Sequence, residues 1–163
     1  MSVASHIKKS LEMPASVVKM WLKDLSDEDL LRRPADTANN IAWQLGHLVV
    51  SENQLVNMVC PDSMPALPEG FAQKYTKETA GTDDPAAFET RERYFELLDE
   101  QRVGTLAALE KLSDEELDAP SPEKIQMLGP TVGTIFAALS MHSMMHAGQW
   151  TIVRRQMGKT PMF

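Results

Sequence analysis

His142 and His146 are the residues of this chain whose type and spacing most directly predict chemistry. Because they are four residues apart, their imidazoles lie on one face of a helix, one turn above the other. Both rings can then reach one metal ion, since a zinc–nitrogen bond is only about 2.0–2.1 Å long. His47 supplies a third imidazole from an earlier helical segment, whereas His6 has no partner at metal spacing and is interpreted as a surface residue. The sequence therefore predicts a metal site held by His47, His142 and His146.

Three further side chains flank these histidines and are candidates for a supporting role. Gln149 follows His146 by about one turn, so its amide can bond a metal-bound water or orient an imidazole. It can equally be a polar residue at the end of a bundle. Trp43 precedes His47 by four residues, and Trp150 follows His146 by four. Each tryptophan can wall a pocket above the metal or belong to the apolar core.

The neighbours of the histidine pair narrow the chemistry. Met141, Met144 and Met145 are interpreted as adaptable core packing rather than as thioether ligands of copper(I). Ser143 stands where a zincin peptidase carries its glutamate, so the general base of that class is missing. No Glu-x-x-His motif occurs, which excludes the di-iron carboxylate bundles.

Four segments with helical periodicity must position these residues. Apolar side chains recur in each at steps of three or four, and no useful length of the chain alternates with period two. The prediction is an all-α fold, a four-helix bundle with a long connection from residue 60 to 83 between helices two and three. That connection is expected to cross over the bundle or to cover one end of it. The predicted helices span about 3–25, 41–59, 84–111 and 131–157.

Local signals set the ends of these helices. Asn39 or Asn40 can cap the second helix, Asp84 followed by proline starts the third, and Gly158 ends the fourth. Pro14 is expected to kink the first helix without ending it, because the apolar stripe resumes in phase.

The two halves of the chain repeat a pattern. A Leu-Ser-Asp-Glu box occupies 25–30 after the first helix and 112–117 after the third. Each box leads through a proline and a threonine to the next helix, with His47 ten residues and His142 eleven residues beyond that threonine. Either the boxes are coincidental capping sequences, or helices two and four occupy equivalent places and His47 lies opposite His142.

Composition bounds the class of protein. The 163 residues, 43% hydrophobic and 24% charged, predict a single globular domain over 1–163. The net charge of −7 argues against nucleic acid or an anionic membrane as a partner, and no apolar run reaches the roughly 20 residues of a membrane span. Cys60 is the only cysteine, so an internal disulfide is excluded and a reducing, cytoplasmic location is expected.

Two segments carry a resemblance to a known family. Residues 141–149, Met-His-Ser-Met-Met-His-Ala-Gly-Gln, followed by Arg154-Arg155 and Gly158, resemble the C-terminal signature of the DinB-like superfamily. Residues 40–48 resemble the helix that carries the family's first histidine. The resemblance implies a four-helix bundle, often a dimer, with one divalent metal ion per chain held by three histidines. The positions that match those ligands are His47, His142 and His146.

The resemblance also implies a class of reaction. The family includes thiol-dependent S-transferases and isomerases, in which the metal binds the thiolate of a low-molecular-weight thiol. We therefore interpret the chain as a metal-dependent thiol S-transferase or a related small-molecule enzyme, with zinc or nickel as the first choice of metal and iron as the next. A hydrolase is disfavoured because no residue convincingly supplies a general base. The alternative is a non-catalytic metal-binding bundle that serves as a stress-related binding or dimerisation module.

A second, partial apolar stripe predicts a homodimer. A bundle buries one stripe per helix, so apolar residues beyond it need a partner surface or another cover. The long connection can supply that cover if it folds back over the helices. The residues concerned are Val49 and Met58 on helix two, Tyr94 and Leu97 on helix three, and Met144 and Ile152 on helix four.

Overall fold

Helices account for most of the computed structural model, which describes residues 2–160. No strand occurs among these residues, and none of their helices is both long and apolar enough to cross a bilayer. The all-α prediction is confirmed, with four long helices and one short one. Residue 1 of the predicted domain and residues 161–163 of its tail lie outside the described residues. The helices are α1 (Val3–Leu22), α2 (Ile41–Val59), α3 (Arg91–Leu109), α4 (Asp114–Asp118) and α5 (Val132–Gln156).

Capping signals located α2 correctly but misplaced the start of α3. Asn40 caps α2 by accepting a hydrogen bond from the backbone N–H of Trp43 at 2.8 Å. Asp84 also caps, but the turn it opens ends after Pro85–Ala87, and α3 begins only at Arg91 behind its own cap, Thr90. The prediction for α3 was wrong because Phe88 takes an extended conformation, which separates the capped turn from the helix.

The contacts between the long helices define their directions. α1 and α5 are parallel to each other. α2 is antiparallel to α5, and α3 is antiparallel to α1, so α2 and α3 are parallel to each other. Parallel neighbours need a connection that returns along the length of the bundle, which explains the long stretch between them. These directions follow from contacts of Ser10 with Ser140, Trp21 with Thr151, His47 with His142, Gln44 with Trp150, Lys8 with Glu110 and Lys19 with Asp99.

The returning connection covers much of the predicted second stripe. Its Tyr75 packs directly on Gly46 of α2, and its hydroxyl lies 2.8 Å from that of Tyr94 on α3. Tyr94 is consequently fully buried, and Val49 and Leu97 are buried in the same core rather than available to a partner. Three of the six residues from which the dimer was predicted are therefore not accessible to a partner, and that part of the prediction was wrong.

The other half of the stripe remains accessible. Met58, Met144 and Ile152 are exposed in the single chain. The homodimer stays a prediction, and it now rests on these three residues.

Both Leu-Ser-Asp-Glu boxes make the same pair of hydrogen bonds, although the first leads to a 3-10 turn and the second to an α-helix. Ser26 and Asp29 exchange hydrogen bonds between side chain and backbone, at 3.0 and 3.2 Å. Ser113 and Glu116 make the corresponding pair at 2.8 and 3.2 Å, which starts α4. In both boxes the serine and the acidic residue three positions later therefore accept hydrogen bonds from each other's backbone N–H, as reciprocal capping predicts.

Arg154 anchors α5 to the end of α1. Its buried guanidinium donates to the backbone carbonyl of Trp21 at 2.6 Å and to the carboxylate of Asp24 at 2.5 Å. The hydrogen bond from Arg154 holds the pKa of Asp24 down at about 2, and Lys159 adds to the effect. This contact gives a structural reason for the arginine that follows the histidine signature.

The close approach at Gly46 generates the first prediction. A Cβ at Gly46 would lie 2.0 Å from a ring carbon of Tyr75, so Gly46→Ala should destabilise the protein by about 1–3 kcal/mol through overpacking. Gly148 in α5 is a matched control, because a Cβ there meets nothing within 4 Å. Gly148→Ala should stabilise by about 0.5–1 kcal/mol, as in an exposed helix interior. Urea unfolding of both variants measures this, and equal free energies of unfolding would contradict it.

Candidate metal centre

The three histidines predicted as ligands come together between α2 and α5. Each offers one ring nitrogen, and these nitrogens all lie within 4.8 Å of one another. The Nε2 atoms of His142 and His146 are 3.1 Å apart, and the ring of His47 faces both at centroid distances of 5.0 and 5.7 Å. The antiparallel packing of α2 on α5 thus sets His47 opposite His142, as the internal repeat suggested.

The donor set fits a divalent transition metal. Two nitrogens on a tetrahedral zinc ion are separated by about 3.3 Å, given bonds of about 2.0–2.1 Å, and the His142–His146 pair already has that spacing. Three imidazoles without a carboxylate or thiolate suit zinc, nickel, iron or copper better than calcium or magnesium. The residues present could therefore hold such an ion.

Burial keeps these imidazoles neutral. It lowers the pKa of all three rings, to about 4 for His47 and about 3 for His146. The neighbouring His142 lowers the pKa of both further. A histidine must be neutral to ligate a metal, so the rings are in the binding form at neutral pH.

Gln44 fixes the orientation of His146. The indole N–H of Trp150 can only donate, so the atom that it meets at 2.8 Å must be the amide oxygen of Gln44. The same oxygen lies 2.9 Å from Nδ1 of His146, which must therefore carry a proton. The other end of the amide donates to the backbone carbonyl of Asn39 at 2.7 Å. The Nε2 lone pair of His146 is consequently left facing His142 and the site.

Trp43 fixes the orientation of His47 in another way. The two rings stack at a centroid distance of 4.9 Å and an angle of 13°. The indole N–H of Trp43 in turn donates to the hydroxyl of Thr79, in the returning connection, at 3.3 Å. The connection therefore braces the first histidine from outside the bundle.

A cavity of about 610 Å³ that is open to solvent lies next to the histidine cluster. His47 and His142 form part of its wall, together with Ser51, whose hydroxyl is 3.4 Å from Nδ1 of His47. Among the described residues, its lining contains no lysine, arginine, aspartate or glutamate. It is completed by Gln54, Leu55, Met58, Met127, Leu128, Ala138, Met141 and Met145.

The structure shows where the three flanking side chains lie relative to the two roles left open for each. Trp43 and Trp150 are buried behind the histidines and do not line the cavity, because their indoles are held by Thr79 and Gln44. Gln149 is half-buried, and its side-chain hydrogen bond to His146 raises the pKa of that ring against the effect of burial.

Two features were missed or misjudged from sequence. Gln44 was overlooked, although its position three residues before His47 placed it on the same face of α2. Met141, Met144 and Met145 are exposed rather than core, and two of them line the cavity. Periodicity along α5 alone does not reveal which of these side chains another element covers.

Comparison with known proteins agrees with this architecture. A family model described as the DinB superfamily matches residues 11–150, which is most of the chain. A crystal structure described as the conserved protein of locus from Enterococcus faecalis has the same fold at a TM-score of 0.69. It shares 15% sequence identity, and the match covers 98% of this chain and 99% of that chain. A search of curated proteins gave no match.

The geometry predicts uptake of about one divalent ion per chain. His146→Ala should abolish tight binding, because it removes one of three converging donors. His6→Ala is the matched control and should bind as the wild type does, since His6 is exposed and outside the cluster. Isothermal titration calorimetry of the metal-free proteins with Zn²⁺ or Ni²⁺ measures the affinity and the number of ions bound for both variants. Equal loss in the two variants would show that the ligands are misassigned.

Gln44 should matter to metal affinity without touching the ion. Gln44→Ala removes the acceptor that fixes the tautomer of His146, and loss of such a partner typically costs about 10–100-fold in affinity. Gln149→Ala should cost less, because the Nδ1 atom of His146 keeps its 2.9 Å contact with Gln44 in that variant. Competition with a chromogenic chelator gives both constants, and circular dichroism checks that each variant is folded. A Gln44→Ala protein with wild-type affinity would refute this role.

Proposed function

This chain belongs to the DinB superfamily, and from that premise we propose that it is a metal-dependent enzyme acting on a small molecule, in particular a thiol S-transferase. The observation that carries the proposal is the cavity of about 610 Å³ against which His47 and His142 lie. Structural zinc sites are closed by four protein ligands, whereas catalytic sites keep three and leave one position open. The non-catalytic alternative has no need of such a cavity beside the histidines.

The histidines and their supports have separable roles in this proposal. His47, His142 and His146 would hold the ion, which, when bound, favours the thiolate form of a thiol in its open position. Gln44 keeps the Nδ1 proton on His146, so that the other nitrogen of the ring stays a donor. Trp43 keeps the ring of His47 from rotating by stacking on it.

Thiol transfer fits this cavity better than hydrolysis does. None of the described lining residues is a carboxylate that could serve as a general base for water. A thiol needs less help, because a thiol with a pKa of about 8.5 loses its proton far more easily than water does. Ser51 is the hydroxyl in the lining nearest to His47 and can hydrogen-bond an incoming sulfur.

The remaining parts of the proposal concern the metal, the location and the assembly. Zinc or nickel is the preferred ion, then iron, with one per chain. The single cysteine fits a cytoplasmic, reducing setting, and the partners are a small molecule and a low-molecular-weight thiol rather than nucleic acid or membrane. The homodimer is retained as the proposed assembly, through the exposed Met58, Met144 and Ile152.

Transfer of a thiol to an electrophile tests the proposal directly. Zinc- or nickel-loaded protein is incubated with cysteine or glutathione and 1-chloro-2,4-dinitrobenzene. The thiolate sulfur displaces chloride from the ring, and formation of the thioether is followed by absorbance. We expect a rate that needs the metal, is lost in His146→Ala and is kept in His6→Ala.

Cobalt-substituted protein provides a second readout that does not depend on the choice of electrophile. Addition of the thiol should produce a sulfur-to-cobalt charge-transfer band if the open position accepts sulfur. A protein that binds metal but shows neither turnover nor this band would favour the non-catalytic alternative.

A further inference from the structure

Methionine side chains dominate the wall of the cavity away from the histidines. Met58, Met127, Met141 and Met145 all line it, and all four are exposed to solvent. Met127 is 94% exposed and Met141 64% exposed in the single chain. Water contact of so much apolar surface in one place marks a binding groove rather than an ordinary surface.

The polar part of this wall is small, and none of its described residues is a lysine, arginine, aspartate or glutamate. Its polar side chains are His47, His142, Ser51 and Gln54. Along the methionine wall, a charged group of a ligand would lose its hydration without gaining an oppositely charged side chain, which is costly. An uncharged, apolar ligand instead gains free energy by burying its surface against the methionine side chains.

The loop before α5 extends the apolar wall. Met127 and Leu128 follow the short turn Glu123–Ile125, and both are exposed while lining the cavity. They reach the cavity from a different element than Met58 of α2 or Met141 and Met145 of α5. Three separate elements therefore contribute flexible or branched apolar side chains to one volume.

From these features we propose that the cavity binds an uncharged, predominantly apolar small molecule beside the metal position, with Met141 as a residue that determines this specificity. The inference rests on the proposed function, for which this molecule would be the second substrate. The volume of about 610 Å³ lies within the range of about 300–1,000 Å³ typical of small-molecule pockets. Methionine is unbranched and polarisable, so the site should accept various ring and alkyl shapes rather than one.

A pair of fluorescent probes with one ring system tests the charge preference. N-phenyl-1-naphthylamine is uncharged, and 8-anilino-1-naphthalenesulfonate is the same skeleton with a sulfonate. We expect saturable binding of the uncharged probe to the full-length protein and at least tenfold weaker binding of the sulfonate. Equal or tighter binding of the sulfonate would overturn the proposal.

Two methionine variants locate the probe. Met141→Gln replaces an apolar cavity side chain with a polar one of similar length and should weaken binding of the uncharged probe about tenfold. Met13→Gln is the matched control, because Met13 is 66% exposed on α1 but does not line the cavity. Similar binding by both variants would place the probe elsewhere and refute the role of Met141.

Metal and sedimentation measurements separate the possible failures. Co²⁺ should quench the bound probe where Zn²⁺ does not, because a paramagnetic ion in the histidine cluster would lie beside it. If no metal binds but the probe retains its dependence on Met141, the proposed function fails while this inference holds. If the wild-type protein sediments as a dimer that Met141→Gln dissociates, and the probe does not bind, the methionines form an interface and the inference is wrong.

Discussion

A single buried amide, that of Gln44, links the fold of this protein to its candidate metal centre. Its oxygen accepts from Trp150 and His146 on α5, and its nitrogen donates to the backbone at the start of α2. Each buried polar group left without a partner costs about 1–3 kcal/mol, against a total stability of about 5–15 kcal/mol for a domain. Sliding α2 by one turn along α5 would leave several such groups without a hydrogen-bond partner at once. The interaction that selects the register of the two helices therefore also selects the tautomer of His146.

The parallel packing of α2 and α3 is the second constraint, and it determines which side of the metal centre is supported. Because the chain must return along the bundle, the connection passes over α2, where Tyr75 packs on Gly46 and Thr79 holds Trp43. Asn40, the cap of α2, also donates to the carbonyl of Thr82 in this connection at 3.0 Å. The outer side of the first histidine helix is thus braced, while the cavity lies on the side lined by residues of α2, α5 and the loop before α5. Rigid support on one side and accessible space on the other is the arrangement that a metal with an exchangeable position requires.

Electrostatics divide the protein into two regions with different chemistry. The paired charges lie mostly at the surface or between helices, as with Arg154 and Asp24, or in the buried contact of Arg102 with Glu52 at 3.0 Å. The latter joins α3 to α2, and Glu52 also accepts a hydrogen bond from Thr105 at 2.7 Å, so this carboxylate is committed to holding the bundle. The cavity receives neutral imidazoles, one hydroxyl, one amide and apolar side chains. A sulfhydryl group and an apolar partner suit the lining better than a phosphate does, and this is why the proposed chemistry and the proposed ligand agree.

The sequence by itself determined the all-α class, the approximate positions of the four long helices, the histidine pair on α5 and, through two short motifs, the family, because each depends on short-range spacing. The i, i+4 pair His142 and His146 and the cap at Asn40 needed only local geometry, and the all-α prediction needed only periodicity. Other features could not be read from local spacing. Asp84 capped a turn that stopped before α3, Tyr94 became core because the connection covered it, and Met141 faced a cavity rather than the core. Gln44 became important only when α2 met α5, since hydrogen-bond partners 102 and 106 residues away along the chain are set by packing and not by sequence neighbours.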